Sequence, residues 1–194
     1  MLKGYTTRPA IENYLLITID SGFYNQINEW IEEIESYIDK KTGRNFLADS
    51  TASARLYDGT NTRELLIDDC VAITELKIDA DVIATDQYTL YPENAIVKGI
   101  PITKIKLIGS TFPKYPEQIN SVKAKWGYSS AIPKDITTVA TILVAGIINY
   151  SLNADGEVAS ETIGRYTVSY KDEKQWQDFE RVGEILKYYR KFTF

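Results

Sequence analysis

The spacing of apolar residues changes twice along this chain, and that change limits what it can fold into. From about Gly22 to Lys41, Phe23, Ile27, Trp30, Ile31, Ile34 and Ile38 recur at three- and four-residue steps. They form one apolar stripe on a helix. Asp20 and Ser21 offer capping oxygens before it, and Glu29, Glu32, Glu33 and Glu35 decorate its other faces. Lys40-Lys41-Thr42-Gly43 supplies a cationic last turn and a glycine C-cap. Tyr14 to Ile19, further upstream, fits a short strand or the end of a small helix.

From about residue 52 to 127 the period falls to two. Ala54–Tyr57 and Arg63–Ile67 flank Asp58-Gly59-Thr60-Asn61-Thr62, a pattern that predicts a hairpin. Val71–Ile78 follows, with Asp79-Ala80-Asp81 as its turn. Tyr88–Tyr91 and Ile96–Val97 predict a second hairpin around Pro92-Glu93-Asn94, and Ile102–Leu107 comes next. Pro113 and Pro116 make the segment from Gly109 to Pro116 an irregular loop. Val122, Ala124 and Trp126 then alternate with Lys123 and Lys125, one face apolar and the other charged.

The helical period returns at Ile132-Pro133-Lys134-Asp135, where proline suits a first turn. Ile136, Val139, Ala140, Leu143, Val144, Ile147 and Ile148 make a wide stripe, the most buried-looking element of the chain. Asn153-Ala154-Asp155-Gly156 reads as a loop, and Thr162–Tyr170 as one extended segment. A last helix is predicted over Asp172–Arg190, with Trp176, Phe179, Val182, Gly183, Leu186 and Tyr189 at helical spacing. The expected class is therefore α+β: a small bundle of about three main helices with a β-rich insertion between the first and second. The divisions are residues 1–51, 52–127 and 128–194, one structural unit overall.

Composition then narrows function. In 194 residues there is no histidine, which removes the commonest general base and the commonest metal ligand together. Ser-His-Asp, Cys-His and histidine-based zinc chemistry are excluded, and carboxylate, lysine or tyrosine catalysis stays open. The single cysteine, Cys70, cannot close an internal disulfide and reads as a small buried hydrophobe. Hydrophobic residues at 44% and charged residues at 25% describe an ordered globular chain. A net charge of −5 disfavours tight phosphate binding. No apolar leader is visible, and the stretch from Ile136 to Ile148 is broken by threonines and too short to span a bilayer.

No motif carries chemistry. Asp68, Asp69, Asp79, Asp81 and Asp86 fall where turns belong, and nothing in their spacing makes two of them converge. Residues 49–54 start like a calcium loop but lack its glycine and its final glutamate. The eleven glycines are scattered, with no phosphate-cradling loop. No cofactor, metal site or catalytic residue is expected. Fourteen tyrosines and three tryptophans would suit sugar or single-strand stacking, but core and protein contact is the stronger reading. The tail from Lys187 to Phe194 mixes Lys187, Arg190 and Lys191 with Tyr188, Tyr189, Phe192 and Phe194. Aromatics and arginine are usual interface anchors, which favours docking over a frayed, solvated helix end.

Three stretches belong together. Ile38-Asp39-Lys40-Lys41-Thr42-Gly43-Arg44-Asn45-Phe46 ends the first helix. Trp126-Gly127-Tyr128 followed by Ile132-Pro133-Lys134-Asp135-Ile136 leads into the second. Ser160-Glu161-Thr162-Ile163-Gly164-Arg165-Tyr166-Thr167-Val168-Ser169-Tyr170 precedes the last. Tyr57-Asp58-Gly59 with Glu64-Leu65-Leu66-Ile67, and Tyr88-Thr89-Leu90, fit the same order. Over about residues 23 to 190 the chain resembles the head-tail connector (adaptor, or head completion) family of tailed bacteriophages.

The resemblance implies a non-enzymatic structural protein of the virion neck, assembled in the host cytoplasm. It implies a ring, typically a dodecamer, beneath the portal protein, which extends the DNA channel and receives a stopper or tail-completion protein. DNA passes through the lumen without specific binding, and no membrane is involved. The portal-gripping segment would be the C-terminal helix and tail: Trp176, Phe179, Lys187, Tyr188, Tyr189, Arg190, Lys191, Phe192 and Phe194. The β insertion and the acidic first helix are candidates for contacts between neighbours. Ordinary polarity and small size favour a free monomer that assembles on its portal. Another tail or baseplate structural protein is the alternative, and a carbohydrate-active protein using Asp68, Asp69 and Asp81 is a third reading.

Overall fold

The expected α+β architecture is present. The structure, a computed structural model, describes residues 2–152, 159–163, 166–170 and 173–191. These form four helices and eight strands: α1 (Arg8–Leu15), α2 (Tyr24–Thr42), β1 (Ser53–Tyr57), β2 (Glu64–Ile78), β3 (Asp81–Val82), β4 (Tyr88–Tyr91), β5 (Ile102–Leu107), β6 (Asn120–Trp126), α3 (Lys134–Leu152), β7 (Ala159–Ile163), β8 (Tyr166–Tyr170) and α4 (Glu173–Tyr189). They divide into two units, one of Met1–Arg44 with Ile132–Phe194, the other of Asn45–Ala131.

In the helical unit, the segment left open between strand and helix is resolved by its ends. The Thr7 hydroxyl accepts from the Ala10 N–H and a proline lies in the first turn, so α1 starts there. It stops at Leu16, which is left-handed (φ 56°). Tyr14 and Leu15 are thus the last turn of a short helix. The stripe of α2 is buried at Ile27, Ile31, Ile34 and Ile38, while Phe23 is 57% exposed in the turn before it. Gly43 ends α2 in the left-handed region (φ 68°), and its N–H donates to the Asp39 carbonyl. α3 is the central helix, packed against α1, α2 and α4, with Ile136, Val139, Ala140, Leu143 and Val144 buried. Its Thr141 hydroxyl meets that of Thr6 at 2.7 Å.

Glu35 corrects the reading of α2. Its carboxylate is not a solvated decoration but is 1% exposed. It accepts from the backbone N–H of Lys3 at 2.6 Å and of Tyr5 at 2.8 Å. One turn on, Asp39 accepts from the Tyr5 hydroxyl at 2.5 Å and pairs with the Lys3 ammonium. A buried carboxylate that receives two backbone donors is satisfied, which offsets its desolvation. The N-terminal strap is thereby tied to α2.

The segment Thr162–Tyr170 is likewise not one strand. β7 and β8 pair antiparallel, from Ala159 opposite Tyr170 to Ile163 opposite Tyr166. Folding back lets the two halves supply each other's ladder partners.

The β unit is an antiparallel sheet in the order β1-β6-β2-β5-β4, with β3 paired to β2. Neither predicted hairpin forms as drawn. Arg63–Ile67 and Val71–Ile78 belong to one long strand, β2, and a register shift between Leu66 and Cys70 lets it change partner. Its first half pairs with β5 and its second with β6. β1 pairs with β6 rather than β2. The polar loop expected to close a hairpin bonds another loop instead: Lys114 N–H donates to Asn61 Oδ1 at 2.9 Å, and Gln118 N–H to Asp58 Oδ1 at 2.8 Å. Gly59 lies so close that a Cβ would stand 2.1 Å from the Pro113 carbonyl oxygen. Tyr88–Tyr91 pairs with Ile102–Leu107, and Ile96 and Val97 are exposed turn residues, 59% and 87%.

The core of this unit includes Leu65, Ile67, Cys70, Leu76, Ile105, Leu107, Phe112, Val122 and Trp126. Burial first, and the negative charge of Asp69 second, push the Cys70 thiol up to about 12. Two ends of the unit are bonded to each other. Ala48 N–H donates to the Ser129 carbonyl at 2.9 Å, Asp49 N–H to that of Trp126 at 2.8 Å, and Tyr128 N–H to that of Asn45 at 2.8 Å. Gly127 makes the closure possible: at φ 135° its Cα faces Ala48, whose Cα a Cβ would meet at 2.5 Å.

Glu35→Ala should lower folding stability by about 2–3 kcal/mol, because a buried N–H group and a partly buried one lose their acceptor. Glu35→Gln, which keeps one oxygen, should lose less; chemical denaturation of the three proteins measures both. Cys70 should be inert to a thiol reagent at pH 8 and react once the chain is unfolded. Stoichiometric labelling of the folded protein within seconds would contradict its placement.

Candidate functional site

Of the residues singled out by sequence, Trp176, Phe179, Lys187, Tyr188 and Tyr189 lie on the last helix and Arg190 and Lys191 directly follow it, so the site is built from how α4 is held. Val182, Leu186 and Tyr189 recur at helical spacing and are buried, 3%, 4% and 8% exposed. They turn one face of α4 inward, and α4 packs on α3 and α2. At the other end of its described stretch, Asp178 accepts from the Tyr14 hydroxyl at 2.6 Å, so α1 also holds it.

Its C-terminal end is fastened to the end of α2. A helix leaves its last carbonyls without intrahelical partners. Arg44 Nε donates to the Tyr189 carbonyl at 2.6 Å and fills one of these vacancies. Lys191 N–H donates to the Thr42 carbonyl at 2.7 Å, filling one at the end of α2. Gly43 lies between, its Cα open to the Lys191 Cβ. The two helix ends thus complete each other's hydrogen bonding.

This arrangement sorts the nine sequence-predicted docking residues. Tyr189 faces the interior and Phe179 is half-buried. Lys187, Tyr188 and Arg190 are exposed, Tyr188 at 80%, and Lys191 is half-buried. The Tyr188 ring meets that of Tyr189 edge-on at 5.1 Å, which braces an otherwise projecting aromatic. Phe192 and Phe194 lie outside the described residues, as does the loop expected at 153–156. Trp176 is within α4, and its side chain is likewise outside the description. The structure brings Lys187, Tyr188 and Arg190 together as one exposed basic and aromatic patch. Arg44 and Thr42, which fasten that patch, were not singled out as functional; the signal available was a basic residue directly after a C-cap glycine.

A second feature of the helical unit is an apolar cleft of about 370 Å³. Ile17, Ile19, Phe23, Ile27, Trp30 and Ile148 line it, and Asp20 is the one ionisable lining residue. That carboxylate accepts from the Gly22 N–H at 2.8 Å as a turn cap. A single carboxylate so engaged has no partner for acid–base work.

The acidic residues of the β unit do not converge either. Asp68 pairs with Arg55 at 2.8 Å and accepts from the Tyr57 hydroxyl at 3.1 Å. Burial is the main cause that raises the Tyr57 phenol to about 12. Asp69 is buried in the middle of β2, and Asp79 and Asp81 flank the tight β2–β3 turn. Among the described residues, no group of three or more Cys, Asp and Glu side chains could hold a metal ion. No described helix is long and apolar enough to cross a membrane.

No protein-family model matches the chain, and comparison with curated proteins gave no match. Solved structures do match. A chain in the neck of an empty GTA particle, computed with C6 symmetry, is similar at a TM-score of 0.58 and 15% identity, over 100% of this chain and 94% of that one. One in the neck of a native GTA particle, computed with C12 symmetry, matches at 0.55 and 13%, over 96% of this chain and 88% of that one. One in the virion of a native gene transfer agent particle matches at 0.55 and 15%, over 100% and 94%. At these identities the likeness is one of fold, and it spans both units.

Arg44→Ala should free the end of α4 while leaving the rest of the unit folded. Losing one such bond is worth about 1 kcal/mol, or roughly fivefold faster amide exchange over residues 186–191. Hydrogen–deuterium exchange measures this; unchanged exchange there would show that Arg44 does not hold the helix.

Proposed function

We propose that this chain is a structural head-to-tail connector of a tailed-phage-like particle, forming a ring beneath the portal. The observation that carries the reading is the fold likeness, over nearly the whole chain, to two chains from particle necks, computed with C12 and C6 symmetry. A helical bundle with a β insertion, matched end to end, is a more specific likeness than either half alone. The ordered motifs from Ile38 to Tyr170 support the same assignment independently of the fold.

In this reading the chain is not an enzyme. It binds no cofactor, lies in the neck of the virion and contacts the portal above and a stopper or tail-completion protein below. Ring closure is heterologous, each copy offering one surface to the next. A net charge of −5 suits a channel through which DNA passes without adhering, since counter-ion release has little to gain on an acidic wall. The portal contact is made by the C-terminal helix and the residues after it. Lys187, Tyr188 and Arg190 are its exposed anchors, with Lys191 beside them and Trp176, Phe179, Phe192 and Phe194 in the same segment. Tyr189 acts from beneath, by bracing Tyr188.

Electron microscopy of purified particles carrying a labelled copy of this chain should show the label at the neck. Label at the baseplate or tail tip would favour another tail structural protein instead. The triple variant Lys187→Glu, Tyr188→Ala, Arg190→Glu alters exposed side chains only. It should keep the wild-type melting temperature within a few degrees and lose at least about tenfold in portal affinity. Undiminished binding to the purified portal would remove the docking role from this patch.

A further inference from the structure

The solvent-facing side of the β sheet carries a charge pattern that the portal contact leaves unused. Residues directly opposite one another on paired strands share a face, so the register defines this side row by row. One row is Leu56 on β1, Ser121 on β6, Lys77 on β2 and Val82 on β3. The next is Ala54, Lys123 and Glu75, followed by Lys125 and Ala72. Past the register shift come Leu66, Lys104 and Tyr91, then Glu64, Lys106 and Thr89. These rows hold five lysines and two glutamates, an excess of three positive charges in a chain whose total is −5.

The lysines are not equivalent. Lys104 and Lys106 share Glu64 at 3.0 and 3.8 Å, and Lys77 pairs with Glu75 at 2.9 Å. Among the described residues, Lys123 and Lys125 make no ion pair. The neighbouring row holds two apolar side chains, Leu56 opposite Ser121 at 57% exposed and Val82 opposite Lys77 at 61%. A face that mixes unpaired cations with exposed aliphatic groups is suited to protein. Phosphates would use the lysines and leave the aliphatic groups wet.

The same chain carries a complementary surface. The exposed side of α2 presents Asn25, Asn28, Glu29, Glu32, Glu33 and Ser36. Glu29 and Glu33 are one turn apart, so they repel, and no Lys or Arg stands three or four positions from either. The spacings agree. Four helical residues advance about 6 Å, and Lys123 to Lys125 along a strand is about 6.7 Å. The four strands β1, β6, β2 and β3 are about 14 Å across, room for one helix about 10 Å wide.

We infer that the Lys123–Lys125 face of one copy docks on the Glu29–Glu33 face of α2 in the next copy, and that this unlike pair closes the ring. The inference rests on the ring reading and names its interface. Each copy has one basic and one acidic face, which is the condition for a heterologous contact that repeats around an axis.

Complementary charge reversal tests it. Lys123→Glu/Lys125→Glu and Glu29→Lys/Glu33→Lys change three exposed side chains and one, Lys125, that is half-buried. Each variant alone should assemble at least about tenfold more weakly than wild type, by sedimentation and by electron microscopy on the purified portal. An equimolar mixture of the two should restore rings with alternating copies, because every contact then pairs opposite charges. Restoration also shows that both variants are folded. Wild-type rings should weaken as salt rises.

Several results would overturn the inference. If each variant forms rings as well as wild type, or the mixture fails where wild type succeeds, this interface is wrong while the connector reading stands. If Lys123→Glu/Lys125→Glu loses DNA retention with ring formation intact, the face belongs to nucleic acid. If the wild-type chain forms no ring with or without portal, the ring reading fails and this interface with it.

Discussion

The fold depends on a set of short backbone bonds at the base of the β unit. The chain enters that unit at Asn45 and leaves at Ala131. Between those points Asn45, Ala48 and Asp49 are bonded directly to Tyr128, Ser129 and Trp126. Closing so long a loop costs conformational entropy, which grows only slowly with length and is offset where the ends are fixed together. With its two ends side by side, the β unit acts as a self-contained insertion. The helical unit is then free to be assembled from two distant stretches of sequence. Gly127 is the residue this closure depends on, because both its left-handed backbone and its contact with Ala48 exclude a side chain.

A helical unit drawn from separate stretches needs specific ties as well as an apolar core. Two polar clamps supply them, one on α2 and one at its C-terminal end. Glu35 and Asp39 hold the N-terminal strap through its backbone donors, and Arg44 with Thr42 holds the end of α4. Burial of α3 supplies most of the driving force, since its apolar surface faces α1, α2 and α4. That force is nondirectional. The clamps fix register, so that Tyr188 projects while Tyr189, the next residue, is buried.

The change of hydrophobic period made the class and the long helices legible in the sequence. α2 and α4 were readable to within two residues at each end, and α3 at its start, because their stripes are long; Gly43 marks the end of α2. Strand positions were readable, but partners were not. Alternation fixes which face a residue takes and says nothing of which strand lies beside it. Asp58 and Asn61 look like hairpin-turn residues, yet their side chains accept from Gln118 and Lys114, more than fifty positions away. Glu35 was missed because one glutamate among four on an acidic helix has no local mark of burial. Of the segment proposed to dock, aromatic and basic composition was visible in the sequence. The division between buried Tyr189 and exposed Tyr188 depends on the helix angle at which α4 meets its neighbours.

On the proposed connector reading, the distribution of charge suits assembly. Catalysis by carboxylates needs two of them close together with their environments set apart. Here Glu35 accepts from two backbone donors, Asp20 caps a turn and Asp68 pairs with an arginine. The described charged groups left without a partner are instead spread over surfaces. Lys123 and Lys125 stand on one sheet face, and Glu29 with Glu33 on one helix face. Leaving like charges adjacent on a helix costs a few tenths of a kcal/mol per pair in the isolated chain. Leaving aliphatic side chains exposed around a cationic pair costs hydration entropy as well. Both costs fall when a surface of opposite charge and similar spacing covers them. A free chain that bears them separately, and a ring that relieves them at every contact, differ by a term that is multiplied by the number of copies. In the proposed ring, modest surface charges, each worth little alone, would add up over the copies.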